Sequence, residues 1–241
     1  MELADRIVRW LKDYAASAGA RGYVIGLSGG IDSACTAALC QKAVGEHVLG
    51  VLMPCHSHPE DGAMAILLAE TFSIRTVTVD LGPSYDTILA ALPPGIADMA
   101  RANLKPRLRM TALYALAQTH GYLVAGTGNK SELLTGYFTK YGDGGVDVEP
   151  LGELFKWQVR QLAYDLGVPK PIIERPPSAG LWAGQTDEEE MGITYEDLDA
   201  ALAAIEAGEM GGIDPALLAK VQGMIDASTH KRFPPPVFTI T

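Results

Sequence analysis

A short apolar stretch, Tyr23 to Leu27, runs directly into Ser28-Gly29-Gly30-Ile31-Asp32-Ser33, and few folds accommodate that junction. The stretch reads as a buried strand, and the pattern after it predicts a helix from Ile31 to Val44. Between the two, adjacent glycines let the backbone approach a ligand closely. The start of the helix aims unpaired N–H groups and its positive dipole end at the same point. Pyrophosphate suits such a turn. The spacing is not that of the Walker loop, whose glycines stand farther apart and precede Lys-Ser/Thr, nor is it Gly-x-Gly-x-x-Gly. An acid stands where the Walker lysine would be, so Asp32 is a candidate ligand for the Mg²⁺ that accompanies a nucleoside triphosphate. Helix capping by Ser28 and a dipole-favoured Asp32 would account for those two residues, but not for adjacent glycines after a buried strand.

The remaining pattern alternates between strand and helix. Leu3, Ile7, Trp10, Leu11 and Tyr14 recur at helical spacing within Glu2 to Ala18. Further strands are predicted at His47 to Met53, Arg75 to Leu81 and Tyr122 to Ala125, with a short fifth around Val146 to Val148. Helices are predicted at Glu60 to Phe72, over a long stretch from Ile96 to Thr119 interrupted near Pro106, and at Tyr195 to Ala207 and Pro215 to Ser228. This order implies an α/β fold, a doubly wound parallel sheet with helices on both faces, whose ligands lie at the carboxyl ends of the strands. A proline-rich segment, Pro169 to Pro177, leads through Leu181 and Trp182 to the acidic run Asp187 to Glu190. That segment reads as a lid over a site, at about residues 175 to 190. One domain over 1–241, with this lid and C-terminal helices, is the organisation expected.

Composition narrows the function. At 241 residues, 48% hydrophobic and 20% charged, the chain carries enough apolar surface for a sizeable core. A net charge of −10, without any run of Lys or Arg, argues against general nucleic-acid binding. No apolar run suits a membrane span, and the acidic N-terminal residues differ from a signal peptide, so a cytoplasmic location and no membrane partner are expected. Three cysteines do not make a disulfide framework, and Cys35 and Cys40 read as core residues. Cys55-His56-Ser57-His58 resembles half of a metal cluster but has no matching pair elsewhere, so zinc is not expected.

A second constellation runs Gly126-Thr127-Gly128-Asn129-Lys130-Ser131-Glu132, then Gly136 to Asp147. Glu132, at the start of a helix after strand four, is placed to meet Asp32 after strand one, giving two carboxylates for one Mg²⁺. The Tyr141 to Asp147 loop lacks the EF-hand spacing, so calcium is not expected.

With these residues in place the chain resembles the ammonia-dependent NAD synthetases of the N-type ATP pyrophosphatase group, over most of its length. The resemblance implies a Rossmann-like sheet of the adenine nucleotide alpha hydrolase type. It further implies that Gly26, Leu27, Ser28, Gly29, Gly30, Ile31, Asp32 and Ser33 hold ATP together with Thr127, Lys156 and Ser178. Asp32 and Glu132 are implied as Mg²⁺ ligands, and Asp32, Glu132 and Lys156 as the catalytic set. Arg107, Lys140, Asp147, His230 and Lys231 resemble the positions that hold deamido-NAD⁺. Family members often carry threonine at Ser178 and proline at Ala183. A homodimer is implied as well.

The implied reaction is amidation of deamido-NAD⁺ to NAD⁺, using ATP and ammonia through an adenylated carboxylate. Adenylation supplies a leaving group that a bare carboxylate lacks. Other N-type enzymes that amidate a different carboxylate or carbonyl share the pyrophosphate turn, and a non-catalytic nucleotide sensor would share the fold. Only 27 residues precede Ser28 and no cysteine follows Lys156, so free ammonia rather than glutamine is the expected nitrogen source.

Overall fold

The computed structural model describes residues 2–182 and 184–240. Its elements run α1 (Leu3–Ser17), β1 (Tyr23–Gly26), α2 (Ile31–Val44), β2 (Val48–Leu52), α3 (Pro59–Thr71), β3 (Arg75–Thr78), α4 (Gly82–Ala91), α5 (Asp98–Ala102) and α6 (Leu104–His120). There follow β4 (Leu123–Val124), α7 (Lys130–Thr135), α8 (Lys156–Leu166), α9 (Lys170–Ile173), α10 (Asp187–Met191), α11 (Tyr195–Ala207) and α12 (Pro215–Arg232). The strands form one parallel sheet in the order β3-β2-β1-β4.

Side chains alternate across a strand, so each strand feeds two cores. Tyr23 and Ile25 face a layer built from α1, α2, α8 and α9, with Leu11, Leu39, Val159 and Ile172 among its buried members. Val24, Leu49 and Val51 face the other layer, where α6 supplies Leu113 and Ala117. A third cluster, including Leu198, Leu202, Met191 and Val221, joins the C-terminal helices to Phe155. Cys35 and Cys40 are buried in the first core, and all three cysteines are free.

Several sequence expectations need correction. Val146 to Val148 forms no strand; a lone parallel bridge between Ala125 and Val148 is all that pairs there. Asp147 turns its carboxylate onto the Val124 N–H instead, ending the ladder after one bridge. The strand expected from Arg75 to Leu81 stops at Thr78, and α4 follows it without having been predicted. The long helical stretch breaks at Asn103 rather than Pro106; the proline lies in the first turn of α6, where its missing N–H costs nothing. The last helix runs through His230 and Lys231 to Arg232 instead of stopping at Ser228.

Candidate active site

The strand order reverses between β1 and β4, and both chains leave the sheet there at their carboxyl ends. After β1 the turn is tight. Gly29 sits at φ +80°, and a Cβ on it would come within 2.5 Å of the Asp61 carbonyl oxygen, so glycine is required. Ser28 does not cap α2: the N-cap is Gly30, with no side-chain bond. The Ser28 hydroxyl instead lies 3.0 Å from Ser33 Oγ and accepts from the Gly30 N–H, which stiffens the turn from within.

After β4 the second turn leans on a half-buried acid. A Cβ at Gly126 would sit 2.4 Å from the Glu149 carboxylate, whose Oε2 accepts from the Gly128 N–H at 3.0 Å. Burial pushes the Glu149 carboxyl up to about 8, against that hydrogen bond. Asn129 then caps α7 in a reciprocal box with Glu132. The box orients Glu132 toward the first turn of α2, and Asn129 Nδ2 donates to Asp32 Oδ1 at 2.9 Å.

Lys156 joins the two turns. Its Nζ donates to Asp32 Oδ2 at 2.6 Å and to Glu132 Oε1 at 3.1 Å, while its side chain is only 5% exposed. Its ammonium stands 4.8 Å above the Tyr195 ring, a further attraction for a cation. Burial alone would lower the Lys156 pKa, but Asp32 and Glu132 outweigh it and raise it, so the amine stays charged. Glu132 moves the other way from Lys156's pull: burial, helped by Asp32 and Asp187, lifts it to about 7 although Lys156 draws it down. Tyr195 OH lies 3.2 Å from Glu132 Oε1 and 3.1 Å from Asp187 Oδ2. Asp187 also meets Tyr137 OH, which lies 2.7 Å from Glu190 Oε2, so the end of the lid is tied to the acidic cluster.

A second cluster gathers cations. Arg107 Nε donates to the Lys140 carbonyl oxygen, Lys140 Nζ to that of His230, and Lys231 Nζ to those of Gly136 and Phe138. The structure thus brings Arg107, Lys140, His230 and Lys231 together across three segments. Asp147 is not part of this set; it takes hydrogen bonds from Tyr114 OH and the Val124 N–H. Thr127 lies in the turn after β4. Ser178 is exposed on the lid segment, where its hydroxyl accepts from the Gly180 N–H, and no contact carries it to Lys156. Ala183 lies outside the described residues. Of the suspected metal cluster, His56 pairs with Asp86 and His58 caps α3.

The start of the 175–190 segment is held by Arg175, 2.6 Å from Asp61 Oδ1, and by Lys105 Nζ, which donates to the Leu181 carbonyl oxygen at 2.6 Å. Beside it opens a cleft of about 500 Å³ walled by Tyr85, Arg101, Lys105, Leu181 and Trp182. Sequence reasoning missed Asn129, Tyr195 and Asp187. The Asn-x-x-Glu spacing signals the first; the other two had no local signal, because only folding brings them near Glu132.

Residues 3–235 match the family model described as NAD synthase. The chain is 45% identical over 240 residues to the NH(3)-dependent NAD(+) synthetase of Carboxydothermus hydrogenoformans, covering 98% of this chain and 96% of that one. It is 49% identical over 198 residues to the enzyme of the same description from Finegoldia magna, 82% of each chain. Among solved structures, NMN synthetase from Francisella tularensis superposes with a TM-score of 0.92 at 38% identity, covering 99% of this chain and 98% of that one.

Proposed function

The chain belongs to the NAD synthase family, and from that premise we propose that the Asp32–Lys156–Glu132 cluster catalyses ATP-dependent amidation of deamido-NAD⁺ to NAD⁺ with ammonia. The observation that carries this reading is the buried Lys156 ammonium held between acids from two glycine turns, at the switch point of the sheet. One catalytic domain with a lid at about 175–190 is the organisation proposed.

The Ser28-Gly29-Gly30 turn and the first N–H groups of α2 receive the pyrophosphate of ATP, as helix N-termini receive anions. The pyridine carboxylate of deamido-NAD⁺ attacks the α-phosphorus, forming a carboxyl–phosphorus bond as the bond to pyrophosphate breaks. Lys156 stabilises the charge that grows on the departing oxygens. Ammonia then adds to the acyl carbon, AMP leaves, and the nitrogen gives up a proton to yield the amide. No protein nucleophile is needed, so positioning and electrostatics supply the rate. Leu181 and Trp182 beside the cleft keep water from the adenylate when the lid closes.

Asp32 and Glu132 are the residues that would hold Mg²⁺. Hard oxygens from two carboxylates fit that ion, and the chemistry it would supply when bound is charge neutralisation on the phosphates. Among the described residues no group of three or more His, Cys, Asp or Glu side chains stands ready to hold a metal unaided. Arg107, Lys140, His230 and Lys231 are assigned to the anionic part of deamido-NAD⁺. Thr127 and Ser178 are assigned to ATP, the latter after a movement of the lid. Asp147 is left with a structural bond to β4 in addition to its proposed contact with the dinucleotide.

A homodimer and a cytoplasmic location complete the proposal; three free cysteines suit a reducing compartment. Sedimentation at assay concentration checks the dimer, with a lone monomer counting against it, and cell fractionation checks the compartment. The central experiment supplies ATP, Mg²⁺ and ammonia with deamido-NAD⁺ or with its mononucleotide analogue, the arm suggested by the NMN synthetase neighbour. Deamido-NAD⁺-dependent release of AMP with formation of NAD⁺ is expected. AMP release with the mononucleotide alone would overturn the dinucleotide assignment.

A further inference from the structure

Helix α8 begins with Lys156; Gln158 in its own first turn accepts from the Phe155 N–H at 2.9 Å, but Phe155 at the N-cap offers no side-chain acceptor to the N–H groups that follow. Its first N–H groups are nevertheless satisfied, by residues distant in sequence. Ser131 Oγ, on α7, accepts from the Lys156 N–H at 3.1 Å, and Asp199 Oδ2, on α11, accepts from the Trp157 N–H at 3.1 Å. The Ser131 hydroxyl in turn donates to Asp199 Oδ1. Ser131, Asp199 and Lys156 are all buried.

The ring has two consequences. Ser131 precedes Glu132, so Asp199 is tied at once to the α7 turn that carries Glu132 and to the α8 turn that carries Lys156. Its negative charge also lies at the positive end of the α8 dipole, where a carboxylate is favoured. One turn earlier on the same helix, Tyr195 touches Glu132 through its hydroxyl and Lys156 through its ring. Helix α11 therefore meets both catalytic side chains directly and both of their helix starts through Asp199.

We infer that Asp199 is a positioning residue for the reaction: through Ser131 and the Trp157 N–H it fixes the backbone from which Glu132 and Lys156 reach Asp32. This rests on the catalytic reading of Lys156 and Glu132 given above. Asp199 is buried, and its two carboxylate oxygens are taken by the Ser131 hydroxyl and the Trp157 N–H. It acts by holding two helix starts in register, and a misplacement of about 1 Å at a reacting group is enough to slow catalysis about 100-fold.

The test compares Asp199→Asn, Ser131→Ala, the double variant, Lys156→Met and Leu202→Ala, reading Tm, kcat and both substrate KM values with ammonia. Leu202 is buried on α11 in the apolar cluster and takes part in none of the ring's hydrogen bonds, so it reports what destabilising this helix does by itself. Asp199→Asn and Ser131→Ala are each expected to lower kcat about 10- to 100-fold, with KM for deamido-NAD⁺ within about twofold of the parent. The double variant is expected to be no slower than the worse single one, since both open the same ring. Leu202→Ala is expected to lower Tm while keeping kcat within about twofold at a temperature well below the transition.

Unchanged kcat in a folded Asp199→Asn protein, or an equal kcat loss in Leu202→Ala, would overturn the proposal. If Asp199→Asn does not fold, Ser131→Ala decides by the same criteria. If Lys156→Met loses turnover while both ring variants keep it, the positioning role alone falls. If Lys156→Met itself keeps normal turnover, the catalytic reading falls and the positioning role with it.

Discussion

Lys156 stands among three neighbouring carboxylates, Asp32, Glu132 and Asp187, and its removal has a definite electrostatic consequence. Lys156→Met keeps the length of the side chain while leaving the acids to repel one another. Glu132, already lifted to about 7 by burial, takes up a proton more readily once Lys156 no longer draws it down. Turnover is expected to fall by about 10²-fold or more, as removal of charge-stabilising groups commonly does. KM for deamido-NAD⁺ should stay near the parent value, because the cations proposed to bind it, Arg107, Lys140 and Lys231, form a separate cluster; steady-state kinetics separates the two. Asp32→Ala and Glu132→Ala should each abolish turnover in a folded protein, and near-normal activity at saturating Mg²⁺ would refute the metal assignment. Glu149 tests burial without catalysis. Its folded pKa of about 8 lies above the ordinary value of 4.5, so its contribution to stability is fully present below the unfolded pKa and is lost as pH rises through about 8. Glu149→Gln cannot ionise, so the Tm difference between variant and parent should shift in the variant's favour from pH 5 to pH 8. A difference independent of pH would contradict the assignment.

At the scale of elements, the segment proposed as a lid, at about 175–190, joins two regions that lie far apart in the chain. Arg175 and Lys105 hold its stem, while Asp187 and Glu190 hold its end through Tyr137 and Tyr195. Between those anchors Trp182 is 45% exposed beside the cleft. The segment Pro176 to Glu190 should therefore be cut readily by protease in the free protein and be protected when ATP and deamido-NAD⁺ are both present; equal cleavage with and without ligands would count against closure. Other elements show what local pattern conveys. Helix α2 was legible to the residue, because the apolar strand, the glycines and Gly45 bracket it. Helices α4 and α8 were not. Helix α4 opens with Gly82-Pro83, a pair that also suits a turn, and α8 starts after Phe155, which has no side-chain acceptor, so part of its start is held by Asp199 in another part of the chain. Val146 to Val148 has a strand's composition, yet the Asp147 carboxylate occupies the backbone group that pairing would have used.

For the whole molecule, the nitrogen source is the property that separates a free-standing synthetase from one fed by an attached glutaminase. The described cysteines Cys35, Cys40 and Cys55 are all buried, and burial holds each thiol above its ordinary pKa, so none has the character of a thiolate nucleophile. This chain is expected to make NAD⁺ from ammonia and not from glutamine. At a fixed, subsaturating total of ammonium the rate should rise with pH, because only the unprotonated form attacks. Efficient glutamine-dependent synthesis with ammonia removed would refute this. The glycine turn after an apolar strand was legible by itself: adjacent glycines, a strand end and a helix start are short-range features, and together they predict a tight turn at the carboxyl end of a strand. The alternation of strand and helix likewise pointed to a parallel sheet with helices on both faces, while the order β3-β2-β1-β4 came from the tertiary structure. What the tertiary structure alone decided is which distant side chains share the low-dielectric space beyond the strand ends. Lys156 lies 124 residues from Asp32 and 24 from Glu132, Tyr195 63 from Glu132, and Asp199 68 from Ser131. Those meetings depend on how three apolar cores pack, which is a property of the whole chain rather than of any window within it.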